Sequence, residues 1–401
     1  MILKQVKTKC SCAADAPYPE TFTFESHDRT AFIQRLKNFL SVEEGSISPA
    51  VEKGRVRGKL RSEMIPQDLE LVVVDGEGIG HDAREARVLS ARHFDYFYSS
   101  DAIFLVEDSE TPFRAGGKSA LAAIEKNGYL PKMNLVFSRL DLVQAEREGR
   151  DYQIRDVERG LRNVLHALRD EQVSIERQHL DVRFLGKMDE LLPDRETQQE
   201  IQSLLLLIQQ RHGAARARFV APLYDYELLA GFLAQATAAL RHAWAGYIRG
   251  EGDVQAAPWQ TQKAFTKRMS WKLDEYRYLK PVAEFADLLI TNLSNFLSHP
   301  VGWAEDITES NRVDCLKLLR PELSNELINF VRQEVIGEQH PNWVVAADKC
   351  GTGSTFVRRR LIVEIIESSA PDLTGERARA FKDAVKALVE SAITKCSPAS
   401  N

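Results

Sequence analysis

Leu69-Glu70-Leu71-Val72-Val73-Val74-Asp75-Gly76-Glu77-Gly78-Ile79-Gly80-His81-Asp82 is the stretch on which the reading of the chain turns. Leu71 to Val74 shows no polar alternation, the pattern of a strand buried on both faces, as in a parallel sheet. Asp75 ends the run and Gly78 follows three residues later. A carboxylate at the carboxyl end of such a strand suits a hydrated Mg²⁺, and a glycine there lets a backbone N–H approach a terminal phosphate. Taken alone, Asp75-x-x-Gly78 reads first as an ordinary strand-end turn.

Upstream, Arg55 to Met64 alternates. Val56, Gly58, Leu60, Ser62 and Met64 share one face, while Arg55, Arg57, Lys59, Arg61 and Glu63 share the other. This predicts a half-exposed edge strand, folded back antiparallel onto 69–75 by Pro66-Gln67-Asp68. Residues 1–25 predict a hairpin, followed by a helix to about Val42 with Ser26 as its N-cap.

Downstream, a helix over about 82–97 leads to a strand at 102–106 that ends in Glu107-Asp108-Ser109. A helix over 117–127 leads to a strand at 133–137 that ends in Ser138-Arg139-Leu140-Asp141. A long amphipathic helix carries Ile154, Val157, Leu161, Val164 and Leu168, and a short strand at 181–185 ends at Gly186-Lys187. This alternation predicts a mostly parallel sheet with right-handed crossovers. From about Leu191 onward the pattern is helical, with helices expected at 196–211, 223–248, 258–279, 281–298, 308–319, 322–336, 354–368 and 375–394. The expected division is an α/β domain over 1–195 and an all-α domain over 196–401.

Bulk properties narrow the classes. In 401 residues, 44% are apolar and 28% charged, as in an ordinary soluble protein. The net charge of −5 argues against a mainly nucleic-acid-binding role, so no DNA partner is expected. Five scattered cysteines suggest a reducing compartment. Cys10-x-Cys12 lacks a second ligand pair at metal-site spacing. With no apolar run of membrane-spanning length and no signal-peptide core, a cytoplasmic location is expected.

Order adds what single motifs lack. A carboxylate at Asp141 can accept two N–H bonds from a guanine edge, and the Arg139 stem can lie on the base. An antiparallel edge strand, D-x-x-G, a strand ending near Ser109, S-R-L-D and a strand ending in Gly-Lys succeed one another over residues 1–190. This succession resembles the P-loop GTPases, and most closely their dynamin-like branch, to which the extra N-terminal elements and the helical second half point. The resemblance implies an incomplete P-loop GTPase-like α/β fold with an antiparallel edge strand and an all-α domain. It places Asp75 (Mg²⁺, through water) and Gly78 at the γ-phosphate. Ser138, Arg139 and Asp141 fall on the base-specificity motif, usually Asn/Thr-Lys-x-Asp, and Gly186-Lys187 on the loop that contacts the base. GTP and Mg²⁺ are the implied ligands.

The departures are as informative. Ile79 stands where small GTPases often carry a water-orienting Gln, so hydrolysis would need another group, such as His81 or a partner's side chain. His81 reads more plainly as a loop histidine. The family's G-x-x-x-x-G-K-S/T cradle is absent from residues 1–68. Gly116-Gly117-Lys118-Ser119 has Pro112 at the first-glycine position and reads as a helix start. Cys350 to Thr355 reads as a loop with Ser354 or Thr355 as N-cap. Basic residues from Lys263 to Lys280 interleave with Phe265, Trp271, Tyr276 and Tyr278, a pattern that suits RNA or anionic lipid. Asp274 and Glu275 dilute it, and a solvated amphipathic helix is the plainer reading.

Two functional expectations follow. One is a GTP-binding or GTPase-like protein, N-terminally truncated, that binds nucleotide poorly as it stands and couples through its helical half to self-association or a protein partner. The other is a non-catalytic pseudo-GTPase scaffold acting through that helical half. A plain α/β plus α protein with a chance motif match is the third. Membrane contact has no support beyond the basic stretch.

Overall fold

The computed structural model describes residues 23–40, 56, 69, 71–75, 79, 87–114, 116–145, 149–188, 193–213, 218–250 and 255–397. The chain divides into two compact units, Met1–Glu63 and Met64–Asn401. In the first, helix α1 (Arg29–Leu40) carries Phe32 and Phe39 at helical spacing, and both pack on Phe24, with ring centroids 5.2 and 5.7 Å away. Its N-cap is Asp28, whose Oδ1 accepts from the N–H groups of Thr30 and Ala31. Ser26, the expected cap, instead accepts from the N–H of Asp28. The expected hairpin over 1–25 and edge strand over 55–64 fall almost wholly outside the described residues.

The second unit carries a three-stranded parallel sheet in the order β1 (Ile103–Asp108), β2 (Met133–Ser138), β3 (Asp181–Phe184). Helix α2 (Ala91–Ser99) precedes β1, and Ser90 caps it by accepting from the N–H of Arg92. Helix α3 (Gly117–Lys126) links β1 to β2, and α4 (Arg150–Asp170) links β2 to β3. Register pairs Leu105 with Leu135 and Val106 with Val136. Side chains alternate along a strand, so the two faces of the sheet separate cleanly. Ile103, Leu105, Met133, Leu135 and Phe137 join the main core with Leu121 and Ile124 of α3 and Leu161 and Leu168 of α4. Val136 and Leu185 pack instead on Ile201, Leu204 and Ile208 of α5 (Arg195–Gly213).

That second layer stops at β2. On β1 the same face presents Phe104, 38% exposed, and Val106, 58% exposed. No described strand pairs with the outer edge of β1. The expected buried strand at 69–75 is not formed among the described residues: Leu69 and Leu71–Asp75 have no strand assignment, and Val72, Val73 and Val74 are 75%, 70% and 52% exposed. A valine run has the composition of a strand, but strand structure needs a neighbour to complete its ladder.

The remaining helices are α6 (Leu229–Arg249), α7 (Trp259–Ser270), α8 (Pro281–Leu297), α9 (Glu309–Arg332), α10 (His340–Ala347), α11 (Ser354–Ser369) and α12 (Gly375–Cys396). A short antiparallel pair, β4 (Pro222–Leu223) with β5 (Gly302–Trp303), ties the start of this region to the end of α8. The two helices expected at 308–319 and 322–336 form one helix that runs through Pro321, followed by a π-helical turn at Gln333–Gly337. Buried Leu319, Leu323 and Leu327 hold it across the proline. Helix 258–279 stops at Ser270, where Lys272 turns left-handed at φ 61.

The sheet layer and the helices share one continuous hydrophobic core. Gly128, at φ 79, brings the α3–β2 turn against α9; a Cβ there would lie 2.6 Å from Arg320 and 2.8 Å from Pro321. Beside it, Ser324 donates to Asn127 Oδ1 at 2.5 Å and Tyr98 donates to Glu322 at 2.8 Å. Deeper in, Glu284 is buried on α8 and accepts from Trp244 Nε1 at 2.8 Å, from the Tyr247 hydroxyl at 3.2 Å, and from Arg87. A buried carboxylate is tolerated only when its oxygens are paired in this way.

Candidate nucleotide-binding site

The carboxyl ends of β2 and β3 gather five of the eight residues singled out in the sequence. Leu140 and Leu185 are joined by a main-chain hydrogen bond of 3.1 Å, which sets the two strand-end loops side by side. Lys187 N–H donates to Asp141 Oδ1 at 2.8 Å. A Cβ on Gly186 would approach that same Oδ1 to 3.3 Å. Thr197 fixes the loop from behind: its hydroxyl accepts from Gly186 N–H at 3.1 Å and donates to Gly186 C=O at 3.2 Å. Asp141 and Lys187 are exposed, so the carboxylate faces outward while its backbone support is held below.

Arg139 takes a left-handed backbone, φ 59, which aims its side chain across the strand ends. There it pairs with Asp108 at 2.7 Å, at the end of β1. Ser138 is drawn inward, its hydroxyl donating to Glu107 C=O at 3.2 Å. Thus Ser138 and Arg139 brace β1 against β2, and Asp141 with Lys187 braces β2 against β3. Asp194 completes the edge by capping α5: its Oδ1 accepts from Thr197 N–H at 2.7 Å, and that bond holds its carboxyl below the usual range. A cleft of about 680 Å³ opens nearby between α4 and α5. Arg150 and Arg183 line it, but Glu196 and Glu200 engage them at 3.0 and 3.4 Å.

The residues expected at Mg²⁺ and the γ-phosphate are only partly described. Gly78 and His81 lie outside the described residues. Asp75 is exposed, and no hydrogen bond or ion pair joins it to the Asp141 group among the described residues. Ile79 packs on the turn before α3, close enough that a Cβ on Gly116 would lie 2.6 Å from its Cγ2. Mg²⁺ would find the Asp75 carboxylate here, but no group of three or more His, Cys, Asp or Glu side chains gathers among the described residues.

Gly116 to Ser119 is the start of α3, as its sequence implies. The Glu107 carboxyl packs against this helix start. Glu107, buried at the end of β1, accepts from Phe113 N–H at 2.8 Å, and a Cβ on Gly117 would lie 1.9 Å from its Oε1. Burial pushes the Glu107 carboxyl above its usual range, against the pull of the Phe113 bond. The carboxyl thus packs against Gly117 and leaves no room for a side chain there without movement. Glu107 was not singled out in the sequence; its role comes from the ten-residue return of the chain to α3.

The loop at Cys350 to Gly353 ends in Gly353, φ 81, which is the N-cap of α11 in place of Ser354 or Thr355. Buried Arg358 reaches back to the carbonyls of Ala346, at 3.3 Å, and Lys349, satisfying the carboxyl end of α10. This loop is a helix junction. Cys315, buried, and Cys350, exposed, are thiols without a disulfide. No described helix is long and apolar enough to cross a membrane. No family model, curated protein or solved structure matches the chain.

Proposed function

We propose that this is a GTP-binding, GTPase-like protein of dynamin-like type whose sheet end reads a guanine base but holds nucleotide weakly. The observation that carries the reading is the exposed Asp141 carboxylate, backed by the Lys187 N–H and Gly186 at the ends of adjacent parallel strands. One free carboxylate face suits the two N–H donors of guanine and repels the acceptor edge of adenine. Weak binding follows from residues 1–68, which contain no G-x-x-x-x-G-K-S/T cradle. In this reading Ser138 and Arg139 shape the base pocket, Asp75 and Gly78 serve Mg²⁺ and the γ-phosphate, and hydrolysis requires His81 or a partner's group.

Asp141→Asn tests it. Asparagine offers a donor where aspartate offers only acceptors, so ligand-observed NMR should show preference moving from guanosine to xanthosine nucleotides. An unchanged preference would remove the assignment of Asp141.

A second reading, a non-catalytic pseudo-GTPase scaffold, is favoured by Glu107. The glycine-rich helix start among the described residues has the protein's own carboxyl packed against Gly117. The core shared between sheet and helices suits a rigid platform for self-association or a protein partner. Absence of any guanine preference, together with a stable oligomer by light scattering, would select this reading.

A further inference from the structure

Helix α7 carries an exposed ridge that is independent of the sheet-end site. Trp259, Lys263, Lys267 and Trp271 recur every fourth residue and all four are exposed, the tryptophans at 52% and 63%. An α-helix rises about 1.5 Å per residue, so the lysines stand roughly 6 Å apart and the tryptophans roughly 18 Å apart. Two exposed tryptophans on one helix face are unusual, since most bury their large rings. Lys267 Nζ lies 5.5 Å from the Trp271 ring centroid. Beyond the helix end, exposed Lys272 and Arg277 both adopt left-handed backbones, at φ 61 and 55, and Arg277 lies 5.6 Å from the Tyr276 ring centroid.

The acidic residues that appear to dilute this stretch in sequence do not lie on the ridge. Asp274 is turned to Arg332 at 3.5 Å, and both Asp274 and Glu275 are half-buried. Neither acidic side chain of this stretch therefore offsets the ridge lysines, on a chain whose net charge is −5.

We propose that this ridge binds single-stranded nucleic acid, with Trp259 and Trp271 as stacking platforms and Lys263, Lys267, Lys272 and Arg277 on the phosphates. Flat rings flanked by cations are what a single strand needs, because every base has a stacking face and every link a charge. A lipid surface fits less well. The opposite face of α7, with Phe265 and Met269, is locked in the core, so the helix cannot roll an apolar side into a bilayer. Lysines separate its two exposed rings, where an interfacial helix needs a continuous apolar stripe.

The test is fluorescence anisotropy of a labelled oligo-uridine and of a duplex control with the full chain, with co-sedimentation on anionic phosphatidylserine vesicles in parallel. The oligo-uridine should bind more tightly than the duplex, and its affinity should fall steeply between about 50 and 200 mM salt, as expected for a few phosphate contacts. Lys263→Glu with Lys267→Glu should weaken it at least about tenfold. Trp259→Ala with Trp271→Ala should weaken it by a similar or larger factor while leaving the salt slope nearly unchanged. All these side chains are exposed, and the charge-reversal pair stands alone as a test should the tryptophan pair misfold. No oligonucleotide binding, binding to vesicles alone, or equal binding by the variants would overturn the proposal.

Discussion

The main-chain N–H of Lys187 donates to Asp141 Oδ1 at 2.8 Å, so a residue on the β3 loop holds the carboxylate that ends β2. The bond spans 46 residues and depends on Leu140–Leu185 pairing beneath it. Asp141→Ala removes the acceptor and leaves Lys187 N–H to water. Its cost should be about 1 kcal/mol, because the site is exposed. Urea denaturation measures this; a loss above about 3 kcal/mol would mean that the carboxylate is a core brace.

Glu107 makes a pH-dependent prediction. Its carboxyl is pushed up by burial, so the fold favours the protonated form more than the unfolded chain does. The contribution is fully present below the unfolded value, about 4.3, and is lost as pH rises through the folded value. Glu107→Gln keeps an acceptor for Phe113 and carries no charge. It should be more stable than wild type at pH 7, with the gap closing below about pH 4. Thermal melts across this range decide it; a variant less stable at pH 7 would show that the charge is favourable there.

Gly117 and Gly128 should both resist a side chain, for different reasons. Gly117→Ala drives a Cβ into the Glu107 carboxylate, and Gly128→Ala meets Arg320 and Pro321 while imposing a positive φ. Each should cost about 1–3 kcal/mol. Pairing Gly117→Ala with Glu107→Ala should recover part of the loss, whereas Gly128→Ala should show no such rescue. Additive losses in the Gly117–Glu107 double-mutant cycle would refute the close contact.

Glu284→Ala strips the partner from buried Trp244 Nε1 and from Arg87. The expected loss is about 1–3 kcal/mol, the cost of leaving the buried Trp244 N–H unsatisfied, since half-exposed Arg87 returns to water. Because α8 belongs to the common core, the loss should appear in a single transition, with Trp244 fluorescence and far-UV circular dichroism falling together. Separate transitions would mean that sheet and helices unfold independently.

The strands at 103–108, 133–138 and 181–184 and most long helices were legible in the sequence, because apolar periodicity reports a buried face directly. The strand expected at 69–75 is not formed among the described residues for a physical reason: its valines have strand composition, but pairing is a property of the neighbour. Pro321 suggested a break that packing overrides, and α10, only eight residues long, carries too few periods to announce itself. That Asp141 and Gly186-Lys187 meet follows from the order of the strands that end in them. The packing of Glu107 against Gly117 was not legible, since nothing local signals a return of the chain ten residues later.

The most direct test of the central claim is a titration of GTP and ATP against residues 1–401, wild type and Asp141→Ala, by isothermal calorimetry and ligand-observed NMR. The expected result is GTP binding weaker than micromolar, preferred over ATP, with the preference lost in Asp141→Ala. Micromolar GTP affinity would contradict the weak-binding claim, and equal GTP and ATP signals unaffected by the substitution would contradict guanine recognition at the ends of β2 and β3.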